Sequence, residues 1–460
     1  MNNLNEWQKW AEEHPGESKE SFMKIRDEIL ASPLHYSTPN SPVRDDIYTE
    51  TLYLPKIFTQ EDKKNFEQIA ETSARIFDKV VDAYKKDPAV RRVFGFDPAL
   101  NRLILNSPEY EIRIPMLRVD IFYDEDSKDF KFCEFNTDGT SAMFENDTMA
   151  EFFRKDNALF SHFRPDLEYM NLMQPWIEAF QAVWQQTPAA QGKEKPSVVI
   201  TDFLEDSYYP ELQAFRDLFV KNGYECELED IRNLDYDGKH LFSSKTGTRY
   251  DAVYRRAVTR DIMSGYHDVI PFLCAVHDHA AVLIGDFQTQ IIHSKMISEA
   301  LRSEAVRQYL TDEEKDFIDD HLPSTENLTS RNVRRYLKDK DRWIIKPKDS
   351  YAAKGVWAGI DVSDALWTKL LNDFRDTDYI IQEYVPHYLS QNIDYSRQDH
   401  FIPYHNMTGL YMYNGKFAGV YSRLSDSGIV STQYNERMIP TFFEKESEPE
   451  NEKEDSVSRI

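Results

Sequence analysis

Between residues 58 and 87, apolar side chains return every three to four positions, with Phe66, Ile69, Ile76, Phe77, Val80, Val81 and Tyr84 on one face. The run predicts a long amphipathic helix, and Thr59, ahead of an acidic first turn, reads as its N-cap. Residues 1–57 before it read as a short helical start and then a proline-dotted arm, "ASPLHYSTPNSPV". After the helix the period drops to two. "PMLRVDIFYDEDSKDFKFCEFN" alternates twice around a polar turn, which predicts a β-hairpin. Leu117, Val119 and Ile121 fall on one face of its first strand, and Arg118, Asp120 and Phe122 on the other. In the second strand Cys133 and Phe135 take the apolar face, opposite Glu134 and Asn136. A loop centred near Ser127 sets Asp120 across from Glu134, and Arg118 across from Asn136.

From 195 to 286 the pattern is α/β. Strands are expected at "SVVITDF", "YECELEDI", "YDAVYRRA" and "AAVLIGD", with a helix, "YPELQAFRDLFVKNG", ending at Gly223. No G-x-G-x-x-G or P-loop follows the first strand, which excludes the usual dinucleotide and P-loop folds. Residues 287–340 are mostly helical, and 342–443 return to strand-like runs, "RWIIKPK", "GVWAGI", "YIIQEYV" and "TGLYMYNGKFAGVYSR". The expected organisation is a 1–57 arm, a 58–194 helix-and-hairpin part, a 195–286 α/β domain, a 287–443 part and a disordered acidic tail at 444–460.

Composition narrows the function. The 460 residues are 41% hydrophobic with only 15 Gly and 21 Pro, as expected of an ordinary folded protein. A formal charge of −25 argues against nucleic acid as a partner. No run approaches the roughly 18 apolar residues of a membrane span, and the N-terminus lacks the features of a signal peptide. Cys133, Cys226 and Cys274 form no C-x-x-C pair and read as reduced, buried thiols of a cytoplasmic protein.

Candidate chemistry lies in four places. Asp120, Glu134 and Asn136 offer only hard oxygen donors on one hairpin face, which suits Mg²⁺ better than Zn²⁺. A wetted strand face fits the same spacing. In "RWIIKPKDSYAAKGVWAG", Lys346 closes an apolar strand before a small-residue loop containing Ser350, Ala352, Ala353 and Gly355. Such a lysine and loop can meet phosphates, while taken alone these residues read more readily as a long-looped hairpin with solvent-facing lysines. Gln382, Glu383, Tyr384 and Val385 end another apolar strand, where backbone groups could take the edge of adenine; an ordinary buried strand is the alternative. Arg423, Arg437 and Lys295 stand as isolated cations that could neutralise a transferring phosphoryl group or lie on the surface.

In this order the segments resemble the synthetase domain of glutathionylspermidine synthase and related circularly permuted ATP-grasp ligases. The resemblance rests on Arg118-x-Asp120, Glu134-x-Asn136-x-Asp138, Lys295, Lys346-Pro347, Gln382-Glu383, Arg423, and Arg437 before Pro440, over roughly residues 100 to 443. It implies a permuted ATP-grasp architecture, mixed α+β and α/β, with a pre-ATP-grasp α/β domain and a helical N-terminal part. It implies an ATP- and Mg²⁺-dependent ligase joining a carboxylate to an amine through an acyl phosphate, with small-molecule or peptide substrates, and it admits a homodimer. Asp120, Glu134 and Asn136 would hold magnesium. Lys295, Lys346, Ala353, Gly355, Gln382 to Val385 and Arg437 would contact ATP, and Arg118 and Arg423 would face the reacting centre. Arg255, Arg256 and the 139–145 loop are expected near the substrates by position. Two departures stand out: Gly139 where the family often has Ser or Thr, and a phosphate loop thin in glycine. An ATP-binding module without turnover and a small-molecule kinase remain alternatives.

Overall fold

Helix α1 (Gln60–Lys86) starts where the sequence expects it. The Thr59 hydroxyl accepts from the Asp62 amide, and the Asp62 carboxylate returns the bond, a reciprocal cap. Its apolar stripe from Phe66 to Tyr84 is buried. The chain is seen in a computed structural model that describes residues 3–36, 47–205, 207–348, 355–430 and 436–446. Ser350, Ala352, Ala353 and the acidic tail from 447 onward lie outside the described residues. Ahead of α1, helices Asn3–Glu13 and Pro15–Ala31 make the N-terminal region more helical than a short start.

The predicted hairpin is β1 (Met116–Tyr123) and β2 (Phe130–Asn136), with Asp120 facing Glu134 and Arg118 facing Asn136. One detail differs from strict alternation. The register shifts after Asp120, so that Ile121 faces Phe132 and Cys133 is the extra, bulged residue. Phe132 and Phe135 therefore share the core face, whereas Cys133, expected beside Phe135, lines a cavity on the other face with Glu134. Cys226 is only partly buried and Cys274 is exposed, so the three thiols are not uniformly buried. The core face of the hairpin packs on α1, with the Phe77 and Phe135 ring centroids 4.7 Å apart.

Helix α2 (Met143–Asp156) follows the hairpin. A parallel sheet then forms from β3 (Ser197–Asp202), helix α3 (Tyr209–Lys221), β4 (Glu225–Asp230), β5 (Ala252–Arg255) and β6 (Val282–Ile284), in the order β6-β5-β3-β4. Residues 290–321 contain four short helices. A small antiparallel sheet comes next, from β7 (Thr325–Asn327), β8 (Trp343–Pro347), β9 (Trp357–Ala358) and, after helix α4 (Asp364–Phe374), β10 (Tyr379–Glu383), in the order β7-β10-β8-β9. Its alternating pattern puts Ile345 and Ile381 against Trp367 and Leu371 of α4, and turns Ile344, Lys346 and Gln382 toward the cavity. Finally β11 (Ile402–Tyr413), β12 (Lys416–Ser425) and β13 (Arg437–Ile439) return to the hairpin and complete an antiparallel sheet in the order β13-β12-β11-β1-β2. Among the described residues no helix is long and apolar enough to cross a membrane.

Candidate active site

The three sheets meet around a cavity of about 870 Å³. The polar face of the hairpin sheet supplies one side, with Arg118, Glu134, Asn136 and Arg423. Asp202 and Arg256, at the C-terminal ends of β3 and beyond β5, supply another, and the small sheet brings Lys346 and Gln382. Most of the residues picked out from the sequence thus converge on one space.

Asp120 is fully buried and holds the centre of this wall. Arg118 grips both its oxygens, Nε to Oδ1 at 2.7 Å and Nη2 to Oδ2 at 3.0 Å. Arg423 Nη2 donates to Oδ2 at 2.5 Å, and Asn136 Nδ2 donates to the same oxygen at 3.1 Å. Sequence reasoning did not single out Gly409, which faces Asp120 from β11. A Cβ there would lie 2.9 Å from Asp120 Oδ1 and 3.0 Å from Arg118 Cδ, so the bare backbone leaves room for the ion pair.

Glu134 is oriented differently. Burial pushes its carboxyl up, but Lys295, Arg423, Lys346 and Arg118 outweigh that effect and hold it ionised, at about 2. Its carboxylate and the neighbouring Asn136 amide both line the cavity. Such a pair suits Mg²⁺, which takes one or two carboxylates and leaves the rest of its shell to water and phosphate. Asp120 fits less directly, because the arginines and Asn136 already occupy both its oxygens. No cluster of three or more His, Cys, Asp or Glu able to hold a metal occurs among the described residues.

Lys346, from β8, donates to Gln382 Oε1 on β10 at 2.7 Å, and Gln382 Nε2 donates to Thr325 Oγ1 at 2.9 Å. Lys295 lies on the turn between helices Gln290–His293 and Ile297–Ala300, and its amide donates to the Lys348 carbonyl at 3.1 Å. Ile344, Val356, Tyr384 and Ile429 form an apolar cluster at the cavity edge, beside the chain from Gln382 to Val385. Gly355 does not line the cavity although its neighbour Val356 does, and Ala353 lies outside the described residues. His387, also not anticipated, stacks on Phe122 at 4.2 Å, and burial drives its imidazole down to about 3, so it is neutral.

The substrate-side guesses divide. Arg255 does not line this cavity: its Nη1 pairs with Asp138 at 2.6 Å, both side chains 1% exposed, and also donates to the Ala257 carbonyl, while Nε donates to that of Gly285. Asp138 also accepts from the Thr259 amide at 2.5 Å, so this pair ties the hairpin to the parallel sheet. Arg256 does line the cavity and pairs with fully buried Glu211 at 2.7 Å, whose second oxygen accepts from the Phe144 amide at the start of α2. Gly139 has φ +62°, and a Cβ there would lie 2.6 Å from Val258 Cγ1 and 2.8 Å from the Arg256 carbonyl oxygen. A Ser or Thr would clash at this point.

Two further features were not read from the sequence. Glu145, in the first turn of α2, and Glu436 both accept from the Tyr421 hydroxyl, at 2.8 and 3.1 Å. Burial, reinforced by Glu436, pushes the Glu145 carboxyl up to about 7. The N-terminal arm also reaches the cavity, through Tyr48, Thr49 and Glu50. Glu50 pairs with Arg437, which is buried in the cavity wall.

No protein-family model matches the chain, and no curated protein matches it by sequence. In three dimensions it is similar to a glutathione synthetase-like effector from Globodera pallida, solved in its apo form, at 11% identity and a TM-score of 0.58, over 92% of this chain and 96% of that one. A structure named as a gamma-glutamylcysteine synthetase from Methylobacillus flagellatus aligns over 85% of this chain and 90% of that one, at 11% identity and a TM-score of 0.43, too low to bear on the fold. At 11% identity it is the fold that is shared: the chain has the mixed α/β, several-sheeted architecture of the Globodera protein along 92% of its length.

Proposed function

We propose that the chain is an ATP-dependent carboxylate–amine ligase with a permuted ATP-grasp arrangement, the hairpin preceding the nucleotide sheet in sequence. The observation that carries this reading is Glu134, ionised among Lys295, Arg423, Lys346 and Arg118 on the wall of a large cavity. Four cations around one carboxylate suit a polyanion bridged to the protein by a divalent ion. The fold shared with a protein named glutathione synthetase-like supports it.

In this reading Ile344, Val356 and Tyr384 bound the adenine, with the chain from Gln382 to Val385 at its polar edge. Lys295 and Lys346 hold phosphate oxygens, and Gln382 fixes the Lys346 ammonium. Glu134 and Asn136 would hold Mg²⁺, which when bound would neutralise phosphate charge and polarise the transferred group. Arg118 and Arg423, aimed by Asp120, offset charge where a substrate carboxylate becomes an acyl phosphate and an amine displaces phosphate. No side-chain nucleophile is required.

ADP release is measured against pools of acids and amines. Turnover that needs both an acid and an amine is expected, and Glu134→Gln should lower it about 100-fold or more. Tight ATP binding with no ADP release from any pool would make the chain a binding module. A stable phosphorylated product without an amine would make it a kinase.

A further inference from the structure

The cavity wall carries a second pair of arginines, apart from those on Asp120. Arg397 lies in the loop before β11, and Arg437 opens β13. Buried Asp394 holds both by the same edge, its Oδ2 at 3.3 Å from Arg397 Nε and 3.8 Å from Arg437 Nε. Their outer ends meet at a single carboxylate, Glu50 of the N-terminal arm. Arg397 Nη2 donates to Glu50 Oε1 at 2.6 Å, and Arg437 Nη1 pairs with Oε2. Glu50, Arg397 and Arg437 all line the cavity, and Arg437, only 2% exposed, keeps an Nε without a hydrogen-bond partner.

Each oxygen of Glu50 thus has its own guanidinium, an arrangement that any carboxylate can reproduce. The arm's backbone is fixed here independently, since the Glu50 carbonyl accepts from the Met438 amide at 2.9 Å. The Glu50 side chain, 25% exposed, can swing away without unseating the arm. Two arginines against Asp394 and Glu50 balance in charge; with Glu50 withdrawn the site carries one net positive charge and attracts an anion.

We propose that Arg397 and Arg437 form a carboxylate-binding subsite of the cavity, and that Glu50 fills it as an internal stand-in which a ligand carboxylate displaces. The ligand class is a small acid, amino acid or short peptide with a free carboxylate. This moves Arg437 from the nucleotide side of the cavity to the substrate side. The expectation of a carboxylate substrate rests on the ligase reading, but the test uses no ATP, so the two can fail separately.

Binding of succinate and of glycylglycine is measured by calorimetry on the full chain. Glu50→Gln removes the competitor and should bind at least one of them about tenfold tighter or more than the wild type. Adding Arg397→Ala, at a half-exposed position, should abolish the gain. If Glu50→Gln does not fold, Glu50→Asp, one methylene shorter, should show the same tightening. Affinity no better than wild type, no detectable binding by the variant, or a gain that survives Arg397→Ala overturns the proposal.

Discussion

Glu134 and Glu145 belong to one cavity, and their surroundings drive them in opposite directions. Glu134, held at about 2 against an ordinary 4.5, adds stability above pH 4.5 that is lost as pH falls toward 2. Glu145 has the reverse sign. Raised from 4.5 to about 7, it adds most below pH 4.5, and that contribution is lost as pH rises through 7. Urea unfolding of wild type and Glu145→Gln across this range gives the check. The difference should grow in favour of the variant between pH 4.5 and 7 and then level off. A flat difference would mean that Glu145 ionises normally. The facing of Asp120 and Glu134 was legible from alternation and loop position alone. The push on Glu145 was not, because it comes from burial reinforced by Glu436, which is close in space but far along the chain.

Among elements, the small sheet depends on α4. Trp367 is 1% exposed and its indole donates to the Tyr336 carbonyl at 2.8 Å, locking the helix over Ile345 and Ile381. Trp367→Ala should cost about 3–5 kcal/mol locally. Hydrogen exchange is expected to quicken in β7, β8 and β10 while β1 and β2 keep their protection; equal loss in both sheets would show that they unfold as one unit. The strands and the cap of α1 were readable because period and capping chemistry are local signals. The bulge at Cys133 was not, since a one-residue shift leaves the residue types of a strand unchanged. Nor was Gly409, whose role is set by the strand beside it.

For the whole molecule, the Asp138–Arg255 pair joins the hairpin sheet to the parallel sheet. Asp138→Ala would leave a buried guanidinium without its counter-charge and should cost about 3–5 kcal/mol. Its signature is separation of the two sheets, seen as non-coincident unfolding by tryptophan fluorescence and circular dichroism. Coincident transitions at unchanged midpoint would deny the pair that role. A net charge of −25 gave no hint that four cations gather around one carboxylate.

The bond from Arg423 to Asp120 spans 303 residues of sequence. In a chain made from its N-terminus, β1 and β2 emerge long before β11 and β12 exist to cover them. Until then the hairpin's sheet edge is unpaired, and Asp120 has only Arg118 and Asn136 for company. Such distant contacts make for slow closure and exposed intermediates. The cavity wall is therefore among the last parts of the protein to form, and the nascent chain must be kept from pairing that open edge with another.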